Sequence, residues 1–176
     1  MIIINSNVIT ETEILKDHAV VVEGDIIKGI IPMTAADTEG HDRVIDAKGG
    51  YVTAGFIDIH SDYIEGIIAP RPTTVMDFNI GIKESERILS SHGITTMFHS
   101  LSIYKQDLFG HKPVRQPDNV NKLIHAIHRT HSEKHLIRHR LHARFELDSL
   151  GMVDTIKDHI KNDRVHLLSF MDHTPG

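Results

Sequence analysis

His60 and Asp62 lie two residues apart, so in an extended chain both side chains project to one side of a strand. An imidazole and a carboxylate placed in this way can share one divalent cation; a polar turn after a core strand is the alternative. A second group falls at residues 142–146, where His142, Arg144 and Glu146 alternate with Leu141, Ala143, Phe145 and Leu147. One face of that segment is apolar, and the other carries an imidazole, a guanidinium and a carboxylate in a row. In an open sheet such alternation marks a solvated face, whereas in a parallel array covered on both faces it favours a site. For Glu146 the structural alternative is an ion pair with Arg140 or Arg144. Arg71, held between Pro70 and Pro72, adds a planar fork suited to bidentate binding of phosphate oxygens. Asp172 and His173 close the set.

The elements that must position these groups follow from periodicity and turn signals. Residues 1–53 read as short strands at 2–4, 19–22, 26–30, 44–46 and 51–53, with Glu23-Gly24-Asp25 as a tight turn, enough for half of a small β-sandwich. Residues 55–59 read as a buried strand, apolar on both faces through Phe56, Ile57 and Ile59. The prolines mark residues 65–74 as a loop. A helix is expected over 77–92, with Asp77 as N-cap, Ile80, Ile88 and Leu89 toward the core, a first turn weakened by Gly81, and Gly93 at its end.

A second strand is expected at 94–98, ending at His99 and Ser100. A long loop over 104–117 then leads to a helix capped by Asp118 and carrying Leu123, Ile124 and Ile127. A third strand spans 138–147. A helix capped by Asp148 and Ser149 bears Met152, Val153, Ile156 and Ile160, and a fourth strand runs over 165–171. Four strand ends then present ionisable groups: His60 and Asp62, His99, Glu146, and Asp172 with His173. His99 reads equally as a core histidine. His125, His128, His131, His135 and His139 read as solvated groups on or near one helix, with His128 and His131 spaced for an adventitious surface ion.

Composition narrows the classes. The net charge of −5 without a basic run argues against nucleic acid as a partner. The absence of cysteine excludes disulfides and thiolate metal sites, in keeping with a cytoplasmic protein. The first residues lack a signal-peptide layout, and no apolar run approaches the roughly 18 residues needed to span a bilayer.

Val44-Ile-Asp-Ala-Lys-Gly49 followed by Ala54-Gly-Phe-Ile-Asp-Ile-His60 resembles the entry to the barrel in the amidohydrolase superfamily. There a small sandwich domain ends in D-x-x-G, and a P-G-F-I-D-x-H-x-H strand begins the metal site. Ala54 stands where proline is usual, and Asp62 where the second histidine is usual. His60-Ser-Asp62, Ala69-Pro-Arg-Pro72, Arg140-Leu-His-Ala-Arg-Phe-Glu146 and Ser169-Phe-Met-Asp-His-Thr-Pro-Gly176 resemble one branch, the phosphonate-pathway diphosphatases. These convert α-D-ribose 1-methylphosphonate 5-triphosphate to the 5-phosphate and pyrophosphate. Tyr63 and Gly66 depart from the Asn and Lys that some members carry.

The resemblance implies a mixed α/β chain: a partial β-sandwich over 1–54, then the first four βα units of a (β/α)8 barrel over 55–176. A complete barrel takes about 200 residues or more. The four-strand count therefore predicts the front portion of a longer enzyme, with two open sheet edges through which it could self-associate. The resemblance further implies one or two divalent ions (zinc, manganese or similar) held by His60, Asp62 and Glu146, the last replacing a carbamylated lysine. Substrate contacts fall to Arg71, His142, Arg144, Asp172 and His173, and the substrate is a phosphorylated ribose phosphonate. In that chemistry the metal acidifies water, which attacks phosphorus in line. Further ligands come from later strands of the family barrel, so the chain alone is expected to have little activity. Two other readings stay open: another hydrolase of the superfamily, such as a deacetylase or cyclic amidase, and a non-catalytic metal-binding fragment.

Overall fold

The computed structural model describes residues 1–103 and 112–172. It divides into two compact units, Met1–Ala54 and Gly55–Gly176.

In the first unit, isoleucine and valine runs form β1 (Ile2–Ile9), β2 (Ile14–Glu23), β3 (Ile26–Pro32), β4 (Val44–Asp46) and β5 (Tyr51–Val52). β2 and β3 join through Glu23-Gly24-Asp25, with Gly24 at φ 56°, the left-handed conformation that the tight turn requires. Strand order is β3-β2-β1-β4, with β5 also pairing with β1. The expected half-sandwich is thus a single five-stranded sheet; among the described residues no second sheet forms in this unit. Ile2, Val8, Ala19 and Val20 are its buried apolar residues.

The second unit alternates strands and helices: β6 (Phe56–Ser61), α1 (Tyr63–Ile68), α2 (Phe78–Ser91), β7 (Ile94–Ile103), α3 (Pro117–Arg129), β8 (Arg138–Glu146), α4 (Val153–Lys161) and β9 (Leu167–Met171). The four strands are parallel and lie in sequence order, β6-β7-β8-β9, as successive βα units arrange them. Leu101 and Ile103 of β7 pack with Leu141, Ala143 and Phe145 of β8 against Ile64, Ile82, Leu123, Ile124, Ile127 and Ile156 from the helices. The core therefore occupies the helix side of the sheet. Among the described residues, no helix is long and apolar enough to cross a membrane.

Several expectations need correction. Phe56, Ile57 and Ile59 are 59, 62 and 60% exposed, so β6 is not buried: it is an edge strand paired only with β7 among the described residues. The segment read as a loop after Asp62 begins with α1, because Ile64 and Ile68 fall one turn apart and are both fully buried. Ile80 is exposed; the inward stripe of α2 is Gly81, Ile82, Ser85, Glu86 and Leu89. Gly81 belongs there for space, since a Cβ would fall 2.5 Å from Cγ1 of Ile68. Asp77 does cap α2, accepting from the amides of Asn79 and Ile80 at 2.9 and 3.1 Å. Asp118 does not cap α3, whose N-cap is Gln116 with Pro117 following. Nor do Asp148 and Ser149 cap α4, which opens at Met152 after a 3-10 turn. β7 runs on to Ile103, which places His99 and Ser100 in mid-strand. Most of the expected 104–117 loop lies outside the described residues.

Candidate active site

β6 delivers His60 near its carboxyl end, and the ring meets that of His142 edge-on, with centroids 5.0 Å apart. His142 is fixed from both sides: Nδ1 lies 3.1 Å from the Ser100 hydroxyl and Nε2 2.9 Å from that of Ser169. Those serines stand on the strands flanking β8, Ser100 directly opposite His142 and Ser169 opposite Arg144. Burial lowers the pKa of His142, and the neighbouring His60 adds to the effect, so the neutral ring is favoured.

The alternation of β8 is realised. Leu141, Ala143 and Phe145 enter the core, while the residues between them take the opposite face. On that face Arg144 is half-buried, and its Nε is buried without a hydrogen-bond partner among the described residues. A guanidinium N–H in that state is unsatisfied until an acceptor arrives. Glu146 is 2% exposed at the end of the strand, about 13 Å beyond His142 by the advance of an extended chain.

Asp62 precedes α1 and lies near Arg115, with Oδ2 3.6 Å from Nη2. Arg115 mainly serves Glu65: its Nε donates to both carboxylate oxygens at 2.9 and 3.0 Å, and Nη2 lies 2.9 Å from Oε2. Sequence reasoning missed this pair. A carboxylate between Ile64 and Ile68 was its only local signal. Arg71 is exposed and lines a cavity of about 240 Å³ together with Glu65, Lys112 and the flanking prolines. Asp172 is exposed just after β9, and His173 lies outside the described residues.

The donor types at His60, Asp62 and Glu146 suit a divalent ion. They are not gathered, however: among the described residues the one set of three ligand atoms lying within 4.8 Å of one another is Glu86, His135 and His139. That set sits on the helix side of the sheet. It overturns the reading of His135 and His139 as solvated, since His139 is 1% exposed in β8. His99 takes the core role rather than a strand-end role, its Nε2 lying 2.8 Å from Nδ1 of His139.

Burial holds two histidines far below the usual imidazole value of 6.5: His99 at about 3, with His139 beside it adding to the effect, and His166 at about 4, with Arg140 and His131 adding. His166 is kept neutral by use as well, since Nδ1 accepts from the amide of Leu141 at 3.1 Å. Each ring takes up a proton on unfolding, so the unfolded state binds more protons between pH 6.5 and the folded values. Stability is therefore complete above pH 6.5 and falls on acidification, by up to about 1.4 kcal/mol per pH unit for each group. His166→Gln should flatten the dependence of melting temperature on pH between 6.5 and 4. An unchanged slope would show that His166 does not titrate on unfolding.

Residues 2–45 match the family described as NagA composite domain. Over the whole chain the sequence is 27% identical to the alpha-D-ribose 1-methylphosphonate 5-triphosphate diphosphatase of Escherichia coli K12, covering 44% of that protein. Over 78 residues, 44% of the chain, it is 35% identical to the N-acetylglucosamine-6-phosphate deacetylase of Haemophilus influenzae, covering 20% of that protein. Among solved structures, the deacetylase of Pasteurella multocida aligns over 96% of the chain and 44% of its own length, with a TM-score of 0.64 at 17% identity. An atrazine chlorohydrolase mutant from Arthrobacter aurescens TC1, complexed with zinc and atraton, aligns over 96% of the chain and 45% of its own length, with a TM-score of 0.54 at 18% identity. At those identities the two structures speak for the fold. The chain spans less than half the length of the curated relatives it matches. The chain is similar along its full length to the diphosphatase and, over a shorter stretch, to the deacetylase.

Proposed function

We propose that this chain forms part of a metal-dependent hydrolase that cleaves α-D-ribose 1-methylphosphonate 5-triphosphate to the 5-phosphate and pyrophosphate. The observation that carries this reading is the row His142, Arg144 and Glu146 on one face of β8, where a buried Arg144 Nε lacks an acceptor among the described residues. The similarity of the whole chain to the diphosphatase supports it. His60, Asp62 and Glu146, although not gathered at one point among the described residues, carry the donor types that would suit one or two divalent ions. When bound, such an ion supplies a Lewis acid that lowers the pKa of water and polarises the phosphoryl group. Arg144 and Arg71 offer planar donors to the phosphate oxygens, which the substrate presents in excess. His142, locked between two hydroxyls, fixes the face on which the substrate rests. Asp172, just after β9, and His173 complete the proposed substrate contacts.

A deacetylase-type reading is the second candidate. It is favoured by the NagA composite domain match and by the 35% identity to the Haemophilus deacetylase. Asp62 in place of the superfamily's usual histidine and the Pro70-Arg71-Pro72 loop favour the diphosphatase.

Tripolyphosphate binding tests the assignment of the arginines. Arg144→Ala should weaken it about 10–100-fold, the loss expected for hydrogen bonds to a charged group, with metal content unchanged. Arg71→Ala should act in the same direction. Unaltered binding in both variants, or loss of metal instead, would show that these arginines support the scaffold.

A further inference from the structure

Glu86 of α2 sits on the inward stripe of that helix, at a position where an apolar side chain would be expected. One of its oxygens, Oε2, is approached by three groups: His135 Nδ1 at 2.8 Å, the Leu136 amide at 3.0 Å and His139 Nε2 at 3.3 Å. His135 comes from the segment before β8, His139 from β8 itself, and Glu86 from a helix about fifty residues earlier in the chain. Three elements thus bring two imidazoles and a carboxylate to one point, on the side of the sheet opposite the polar face of β8.

The second nitrogens are also engaged. His135 Nε2 lies 3.3 Å from the Glu133 carboxylate, and His139 Nδ1 lies 2.8 Å from Nε2 of the buried His99. Imidazole ligands usually hold their outer nitrogen against such a partner, which fixes ring orientation and raises basicity. Tetrahedral zinc with bonds of about 2.0–2.1 Å keeps its ligand atoms about 3.3–3.4 Å apart. The Glu86–His139 separation already matches that spacing, and the Glu86–His135 pair needs to open by about half an ångström. A cavity of about 500 Å³ beside the cluster is lined by His135, His139, Glu133, Thr95 and Arg140.

We propose that Glu86, His135 and His139 form a second divalent-cation site of the zinc class, separate from the hydrolytic site and tying α2 to the segment that enters β8. The geometry of the cluster carries this inference independently of the proposed reaction.

The test is zinc titration of the metal-free chain by calorimetry, with cobalt absorption reporting the ligand set. His135→Gln keeps the size and a hydrogen bond to Glu86 but removes a good ligand. It should weaken binding of one ion per chain by at least about 10–100-fold. Glu133→Gln, at an exposed position that leaves the fold intact, should weaken the same ion by a smaller factor. Asp62→Asn should leave this ion in place, which separates the site from the hydrolytic one. Zinc binding that is equal in the wild type, His135→Gln and Glu133→Gln would overturn the proposal, as would a wild-type chain that binds no ion sensitive to these changes. Either result would identify the cluster as a hydrogen-bonded polar core only.

Discussion

Asp62→Asn and Glu146→Gln should each lower the affinity for the hydrolytic ion by at least about 10–100-fold, the range seen even for residues that only orient a ligand. Both exchanges are nearly isosteric, so packing is retained while an anionic donor is removed. Hydrolysis should be lost with the ion in a polypeptide of the relatives' length that contains this chain. Asp62→His sharpens the test because it restores the pair usual in the superfamily. That variant should still bind metal but shift its preference toward zinc, since imidazole suits zinc better than it suits harder ions. At Asp62 the present partner is Arg115 at 3.6 Å, so Asp62→Asn also loosens an ion pair. Full metal content in both would remove these residues from the site.

The second large effect is on stability. Glu65 and Arg115 have side chains only 7% and 12% exposed, and they meet through several hydrogen bonds across fifty residues of sequence. Breaking a buried pair by removing one partner costs up to about 3–5 kcal/mol, and Arg115 retains Asp62 at 3.6 Å, which keeps the cost toward the lower end of that range. Glu65→Gln should therefore lower the melting temperature by on the order of 10 °C. Replacing both partners, Glu65→Leu with Arg115→Met, should recover much of that loss, since an apolar pair removes the desolvation cost from both sides. Lys112, 3.4 Å from Glu65 and more than half exposed, offers only a screened substitute. Calorimetry on the three proteins decides the matter. Equal melting temperatures for wild type and Glu65→Gln would mean that the pair adds nothing to the fold.

Features set by local chemistry were legible in the sequence. Asp77 caps α2 and Gly93 follows it at positive φ because both positions depend on residues within one turn. The two faces of β8 were legible for the same reason, since alternation is a property of the strand itself. Partnerships made across long stretches were not. Glu86 and His139 are 53 residues apart, and nothing in the spacing of the histidines distinguishes the buried His139 from the more exposed His131. The exposure of Phe56, Ile57 and Ile59 was equally hidden, because an apolar run reports what a strand can bury and not what covers it. At the site, the sequence placed His60 beside Asp62, whereas the folded chain sets the His60 ring against His142 and Asp62 against Arg115.

The central claim is that these residues serve hydrolysis of a phosphate-rich sugar, and NMR tests it most directly, with phosphorus spectra reporting pyrophosphate and proton spectra reporting acetate. A polypeptide of the relatives' length containing this chain would be incubated with α-D-ribose 1-methylphosphonate 5-triphosphate and, separately, with N-acetylglucosamine 6-phosphate, each with and without added divalent ion. The account predicts release of pyrophosphate from the triphosphate that requires the ion and disappears in Glu146→Gln. Release of acetate from the sugar phosphate, with the triphosphate left intact, would contradict it.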